Sequence, residues 1–255
     1  MFSQKLGTPL EPQAAPLQTE AGIIFGLGNN FQTGIYYPKC EDCQFEDAQG
    51  LGITVGGVFI RDIKPYLQYG ATLTFNSLSA NTSYQKTEEV KVWNKAHTFF
   101  EIRPIPFRNT AEFGLGEIVI NPFIQWLPLK FMFFRLGFGA SVLADKNFKQ
   151  EKELLKFIDT LSGGEIVDLE ILNDNPIIET VEDRKIPGIN PFRISLEPTL
   201  GFTFEISNQI ILNPSFTYSI PLSKLSSLQN DFNINRWRIL FELRLAIKLR
   251  NIKIN

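Results

Sequence analysis

The sequence predicts an all-β chain, an eight-stranded antiparallel up-and-down transmembrane β-barrel with short periplasmic turns and long extracellular loops. Three observations predict it. Eight segments read as strands, and most carry apolar residues at every second position, the period of a strand. In most of them one face is large and apolar while the other is small, polar or charged. The links between them alternate between tight and long, as in barrels whose turns lie on one side of a membrane and whose loops lie on the other. No apolar run approaches the ~18 residues of a membrane helix. A mean hydropathy near zero is what strands give when lipid-facing and lumen-facing residues cancel.

The chain begins with an arm. Residues 5–20, with Pro9, Pro12 and Pro16, read as extended. Met1 to Gln4 read either as the tail of an export signal, with the mature chain starting near Lys5, or as an ordinary start. The division expected is 1–20 signal remnant and periplasmic arm, 21–250 barrel and 251–255 tail.

The first strand, near 21–36, sets Ile23, Phe25 and Leu27 against Gly22, Gly26 and Gly28. In the second, Leu51, Ile53, Val55 and Phe59 oppose Gly52, Thr54 and Gly56, and in the third Leu67, Tyr69, Leu73 and Phe75 oppose Gln68, Thr72, Thr74 and Asn76. The fourth, near 113–127, is noisier, with Glu117, Asn121 and Gln125 on one face and Ile118, Ile120, Ile124 and Trp126 on the other. The fifth places Phe134, Leu136, Phe138 and Val142 opposite Arg135, Gly137, Gly139 and Ser141. Phe192, Ile194, Leu196, Leu200, Phe202 and Phe204 form one face of the sixth, with Arg193, Glu197 and Glu205 on the other. The seventh runs from Ile210 to Ile220. The eighth starts at Trp237 and alternates Ile239, Phe241, Leu243, Leu245 and Ile247 with Arg238, Glu242, Arg244 and Lys248. Pro198 and Pro214 mark imperfect ladder positions in strands six and seven.

Tight links are expected around Asp62–Pro65, Leu127–Leu129 and Ile206–Asn208, and long loops at 37–49, 77–112, 145–188 and 222–235. Segment 149–160 has a short helical flavour, and 161–187 is acidic and loop-like. An even strand number puts both termini on the periplasmic side.

A lipocalin-type cup is the competing eight-stranded solution, but it shows water its polar face. Eight strands enclose too little room for this much Phe, Leu, Ile and Trp, so those residues are expected to face lipid. The inward charges are then Glu117, Arg135, Arg193, Glu197, Glu205, Glu242, Arg244 and Lys248. An unpaired buried charge is costly, so they read as a space-filling ion-pair network, with a small gated ion path as the other reading. Tyr36, Tyr37, Trp126, Phe131, Phe204 and Trp237 suit the membrane interfaces.

Cys40 and Cys43, in Lys39-Cys40-Glu41-Asp42-Cys43, read as a local disulfide in an exposed loop. Two ligands do not make a zinc site. The acidic residues Asp168, Glu170, Asp174 and Glu179 lack EF-hand spacing and read as a solvated loop rather than a Ca²⁺ site. No cofactor is expected. The single histidine, His97, has no Ser/Asp company in the local sequence, so catalysis ranks last among the functions. A net charge of -2 gives no footprint for nucleic acid.

At this point the chain resembles the PorT-like and OmpA-type outer-membrane β-barrels of Bacteroidota and related phyla. The likeness rests on the cysteine loop followed by Gly50-Leu51-Gly52-Ile53-Thr54-Val55-Gly56-Gly57. It rests also on Ile120–Trp126 with Arg135–Ala140 and the charged run Phe148–Glu153, and on Leu212–Ser219 with the Trp237 strand. The resemblance implies the bacterial outer membrane and lipid contact. It also implies a non-enzymatic role as anchor or loop presenter, alone or within an outer-membrane or periplasmic complex. A secretion accessory or small pore is the alternative, and a lipid-modifying or proteolytic barrel comes after both. Barrels of this kind often end in an aromatic residue, whereas this chain ends Asn251-Ile252-Lys253-Ile254-Asn255.

Overall fold

The structure, a computed structural model, describes residues 18–38, 44–171, 177–186, 188–207, 209–226 and 232–247. Its strands are β1 (Thr19–Thr33), β2 (Gln49–Lys64), β3 (Leu67–Ser77), β4 (Ala80–Trp93), β5 (Phe100–Leu129), β6 (Met132–Leu154), β7 (Ile158–Thr160), β8 (Ile166–Asp168), β9 (Ile178–Lys185), β10 (Phe192–Phe202), β11 (Phe204–Glu205), β12 (Ile210–Pro221) and β13 (Asn233–Ile247).

Eight of these close a ring. β1 pairs β2, β2 pairs β3, β3 pairs β5, β5 pairs β6, β6 pairs β10, β10 pairs β12 and β12 pairs β13, each antiparallel. The ring closes where β13 returns to β1, from Thr19↔Ile247 to Thr33↔Asn233. Both ends of the described chain therefore leave from the short-turn side. The faces fall as the alternation predicts. Ile23, Leu51, Leu73, Ile124, Leu136, Phe192 and Phe241 point outward and are exposed, while Thr54, Asn76, Asn121, Arg135, Glu197 and Arg244 are buried inside. On β13 the outward apolar set runs from Ile239 to Ile247, close to the ~9–11 residues with which a tilted strand crosses a bilayer. The chain is an eight-stranded barrel of the membrane-spanning class.

Two of the expected turns sit a little further along. The β2–β3 turn is Pro65–Tyr66, and the β5–β6 turn is Lys130–Phe131, because the ladder runs on to Leu129↔Met132 past an irregularity after Trp126. The prolines mark breaks in the ladder. The β5–β6 register skips Pro122, and the β10–β12 register skips Pro198 between Leu196↔Ile220 and Thr199↔Thr217.

The larger correction concerns the long loops. Segment 77–112 is strand, forming β4 and the first half of β5, and 149–160 is not helical. β6 continues through it to Leu154. Above the rim the barrel wall carries on. β3 ends opposite Gly116, and β4 takes over the same edge of β5 from Ala80↔Phe113 to Trp93↔Phe100. β10 ends opposite Val142, and β9 takes over the edge of β6 from Asn147↔Lys185 to Glu153↔Ile178. A four-stranded sheet, β4-β5-β6-β9, thus stands on one side of the mouth. It joins the barrel at a bulge between Gly116↔Asp145 and Glu117↔Leu143, where an extra residue bends the pair. From Phe113 to Phe100 it rises about 40 Å at ~3.3 Å per residue.

Candidate functional site

Inside the barrel the side chains stack in layers. Nearest the short turns, Arg135 donates to both oxygens of Glu242, at 2.6 and 3.0 Å, the fork geometry that a guanidinium offers a carboxylate. Arg244 pairs with the same Glu242 and reaches Glu20 at 3.4 Å. Arg135 also donates to Gln125 Oε1 at 3.1 and 2.9 Å. Gln125 in turn donates to Gln68, and Gln68 to Asp62, at 2.6 and 2.8 Å. The guanidinium of Arg135 lies 4.1 Å from the Phe123 ring centroid, a contact that partly replaces lost water. Beside this layer Ile24, Val58, Ile60, Phe123 and Leu240, from β1, β2, β5 and β13, form an apolar cluster on one side of the lumen.

The second charged layer lies beneath the mouth. Arg236 bridges Glu117 and Glu197, Arg193 donates to Glu117 at 3.2 Å, and Ser141 Oγ donates to the same carboxylate at 2.9 Å. Asn121 donates to Glu197 at 2.8 Å. Among the described residues no carboxylate pairs with Arg238. Its guanidinium donates to Asn30 Oδ1 at 2.6 Å, to the Ser77 carbonyl at 2.9 Å and to the Trp237 carbonyl at 2.9 Å, so neutral acceptors hold it. A cavity of about 30 Å³ among Thr54, Thr74, Asn121, Thr217 and Arg236 has room for a water or two.

A third layer closes the mouth. Tyr36, Phe113, Phe148 and Phe232 meet with ring centroids 4.9–5.3 Å apart, and Phe45, Leu78, Leu143 and Leu225 pack around them. Burial pushes the Tyr36 hydroxyl up to about 12, with Arg184 pulling weakly the other way. Tyr36 is therefore a plug residue and not an interface aromatic, because the turn after β1 folds back over the lumen. Tyr37, Trp126, Phe131 and Phe204 are exposed, and Trp237 is half-buried.

Of the charges expected inside, Glu117, Arg193 and Glu197 are brought together in the upper layer, and Arg135, Glu242 and Arg244 in the lower. Glu205 is not inside. The strand breaks at Thr203 and its side chain is exposed at the short-turn end. Lys248 lies outside the described residues, as do Cys40, Cys43 and Asp174. Arg238, on the polar face of the eighth strand, joins the charges inside, and two members were not anticipated, Glu20 and Arg236.

The sheet above the rim has its own core and its own cleft. Val92, Ile105, Phe107, Leu154, Leu161 and Val167 are buried between its inner face and the β7–β8 hairpin. Polar contacts dock that hairpin. Arg103 donates to Asp159 at 3.2 Å and to the Thr160 carbonyl at 2.6 Å, and Ser162 Oγ donates to Glu101 at 3.0 Å. Lys156 and Arg103 beside Asp159 hold its carboxyl well below the usual carboxylate range. His97 sits in the β4–β5 turn with φ 53° and its ring centroid 6.2 Å from that of Trp93. Among the described residues no hydroxyl or carboxylate is bonded to its ring, and no group of three or more His, Cys, Asp or Glu side chains is arranged to hold a metal.

No family model and no curated protein matches the chain. Solved structures resemble it at low identity. Ail, the attachment invasion locus protein of Yersinia pestis, is 11% identical with a TM-score of 0.36, over 89% of this chain and 99% of that one. Neisserial surface protein A is 10% identical with a TM-score of 0.35, over 89% and 99%. The outer membrane protease OmpT from Escherichia coli is 8% identical with a TM-score of 0.33, over 90% and 97%. The barrel assignment rests on the closed ring of this chain itself.

Proposed function

We propose that this chain is a bacterial outer-membrane protein whose barrel is a sealed anchor and whose working part is the sheet standing above the mouth. One observation carries the reading: β5 and β6 stay paired beyond the barrel, across a bulge and flanked by β4 and β9, while the lumen beneath them is filled. A filled lumen removes the simplest task of a barrel, passage of solutes. A sheet of this length beyond the bilayer provides no anchorage, and loops and extensions are where rigid barrels carry function. The apolar belt supports residence in lipid, and the short turns belong on the periplasmic side with both termini. The role is non-enzymatic binding or presentation. Kinship with the PorT-like and OmpA-type barrels and a Cys40–Cys43 disulfide fit the same address, since exported proteins meet an oxidising compartment.

The test is an epitope tag placed at one of two sites. Gly163, at the hairpin tip, has open space around it, and Lys130 is in a short turn. Antibody is expected to reach the Gly163 tag on intact cells and the Lys130 tag only after lysis. The reverse pattern inverts the orientation, and recovery of the protein in the soluble fraction ends the membrane reading.

A further inference from the structure

The cleft in the extension has the size and lining of a ligand site. It holds about 640 Å³ between the inner face of β4, β5 and β6 and the chain returning from β8, within the range typical of small-molecule pockets. Its floor is Val92, Ile105, Phe107, Leu154 and Val167, all buried. The rim carries both signs. Lys95, in the β4–β5 turn, and Lys152, on β6 opposite Glu179 of β9, stand on the sheet side, and Asp168 and Glu170 on the returning side, while Lys91 turns onto the Phe100 ring, 5.0 Å from its centroid. Lys152 is already engaged. It pairs with Glu88 at 2.5 Å and lies 4.2 Å from the Phe107 ring centroid. A ligand with net charge would lose hydration on entering and meet its own sign on one wall of the rim. A neutral ligand pays neither penalty, and its apolar part covers the floor.

We infer that this cleft binds a small neutral amphipathic molecule, with a ring or short chain on the Val92–Phe107–Leu154 floor and a hydroxyl or amide at the charged rim. The inference rests on the extension being the working part of the protein, but binding is measurable whichever way the protein faces.

The experiment uses the full chain in lipid nanodiscs with labelled Ile, Leu and Val methyl groups, titrated with 1-naphthol at neutral pH. Saturable shifts are expected for Val92, Ile105, Leu154 and Val167, while belt methyls such as Ile124 and Leu243 move linearly or stay still. Leu169→Trp and Ile171→Trp, each filling the cleft from its outer wall, are expected to weaken binding tenfold or more. The methyl spectrum of each variant shows whether the extension is intact, and one intact variant suffices. Charged 1-naphthoate is expected to bind at least tenfold more weakly than 1-naphthol. Shifts that do not saturate, equal shifts in the belt, or unchanged affinity in an intact filled variant would overturn the site. Equal binding of naphthoate would overturn the neutral-ligand assignment. Failure of the surface-tag experiment leaves this titration unaffected, so the two readings fail separately.

Discussion

Glu242 accepts from two guanidinium groups, and removing it leaves Arg135 and Arg244 buried without their shared counter-charge. Breaking a buried ion pair by deleting one partner costs about 3–5 kcal/mol. Glu242→Leu is therefore expected to lose that much in urea unfolding of the detergent-folded protein. Glu153→Gln, which removes a half-buried partner of Arg108 at the edge of the extension, is expected to change stability by less than ~1 kcal/mol. Gly28 shows the same tightness in the backbone. A Cβ there would run into the Trp237 carbonyl of the neighbouring β13, an atom that cannot swing aside. Gly28→Ala is expected to lower the unfolding midpoint more than Ala140→Gly, on the outward face of β6, does. The lumen residues that the sequence did not mark were still within its pattern. Arg236 shares the parity of Arg238, Glu242 and Arg244, but the alternation is conspicuous only from Trp237, where the outward residues become uniformly apolar. Glu20 shares the parity of Gly22, Gly26 and Gly28. Its place at the end of a proline-rich arm disguised it.

Strands bathed in lipid on one side announce themselves, and strands bathed in water on that side do not. This is why β1, β2, β3, β6, β10, β12 and β13 were legible, while β4 was taken for loop. In Lys86-Thr87-Glu88-Glu89-Val90-Lys91 both faces are polar, so period two is lost. Lys149 to Leu154 alternates too, but mostly in charge, and reads as helical on propensity. The prolines of β5 are tolerated for a geometric reason. The Pro106 carbonyl points toward the β6 side, where it accepts from Leu155 N–H at 3.1 Å. Pro104 and Pro106 therefore leave their missing donors away from β4. Val90 of β4 has the other parity, and its N–H faces β5. Val90→Pro, opposite Arg103, is expected to open the extension to trypsin around Lys86, Lys91 and Lys95 while the barrel keeps its heat-dependent gel mobility. The hairpin has a pH dependence of known sign. Asp159 has a folded-state carboxyl held below its unfolded value by Lys156 and Arg103. Its contribution is complete above the unfolded value and is lost as pH falls through the folded one. Acidification is expected to release β7–β8 to proteases, and Asp159→Asn to be released already at neutral pH.

A barrel can be silent because a loop blocks its mouth or because its interior is solid, and the two respond differently to mutation. Here the aromatic plug around Tyr36, the two charged layers and the apolar cluster of Ile24, Val58, Ile60, Phe123 and Leu240 together fill the interior. The apolar cluster offers a passing ion no acceptor along one side of the lumen, while Thr199 and Thr217 line the same space as Ile24 and Leu240. The charged layers add to this, since their carboxylates and guanidinium groups are bonded to one another and leave little free capacity for a passing ion. Reconstituted in planar bilayers, the protein is therefore expected to show no conductance steps. Tyr36→Ala combined with Phe113→Ala, which hollows the plug alone, is expected to stay silent as long as the gel shift shows a folded barrel. Steps in the wild type would make the lumen a path and give the charged layers a role in transport. Steps only in the double variant would make the plug a gate and place the barrier at the mouth. Silence in both leaves the barrel as an anchor and directs the search for activity to the sheet above it.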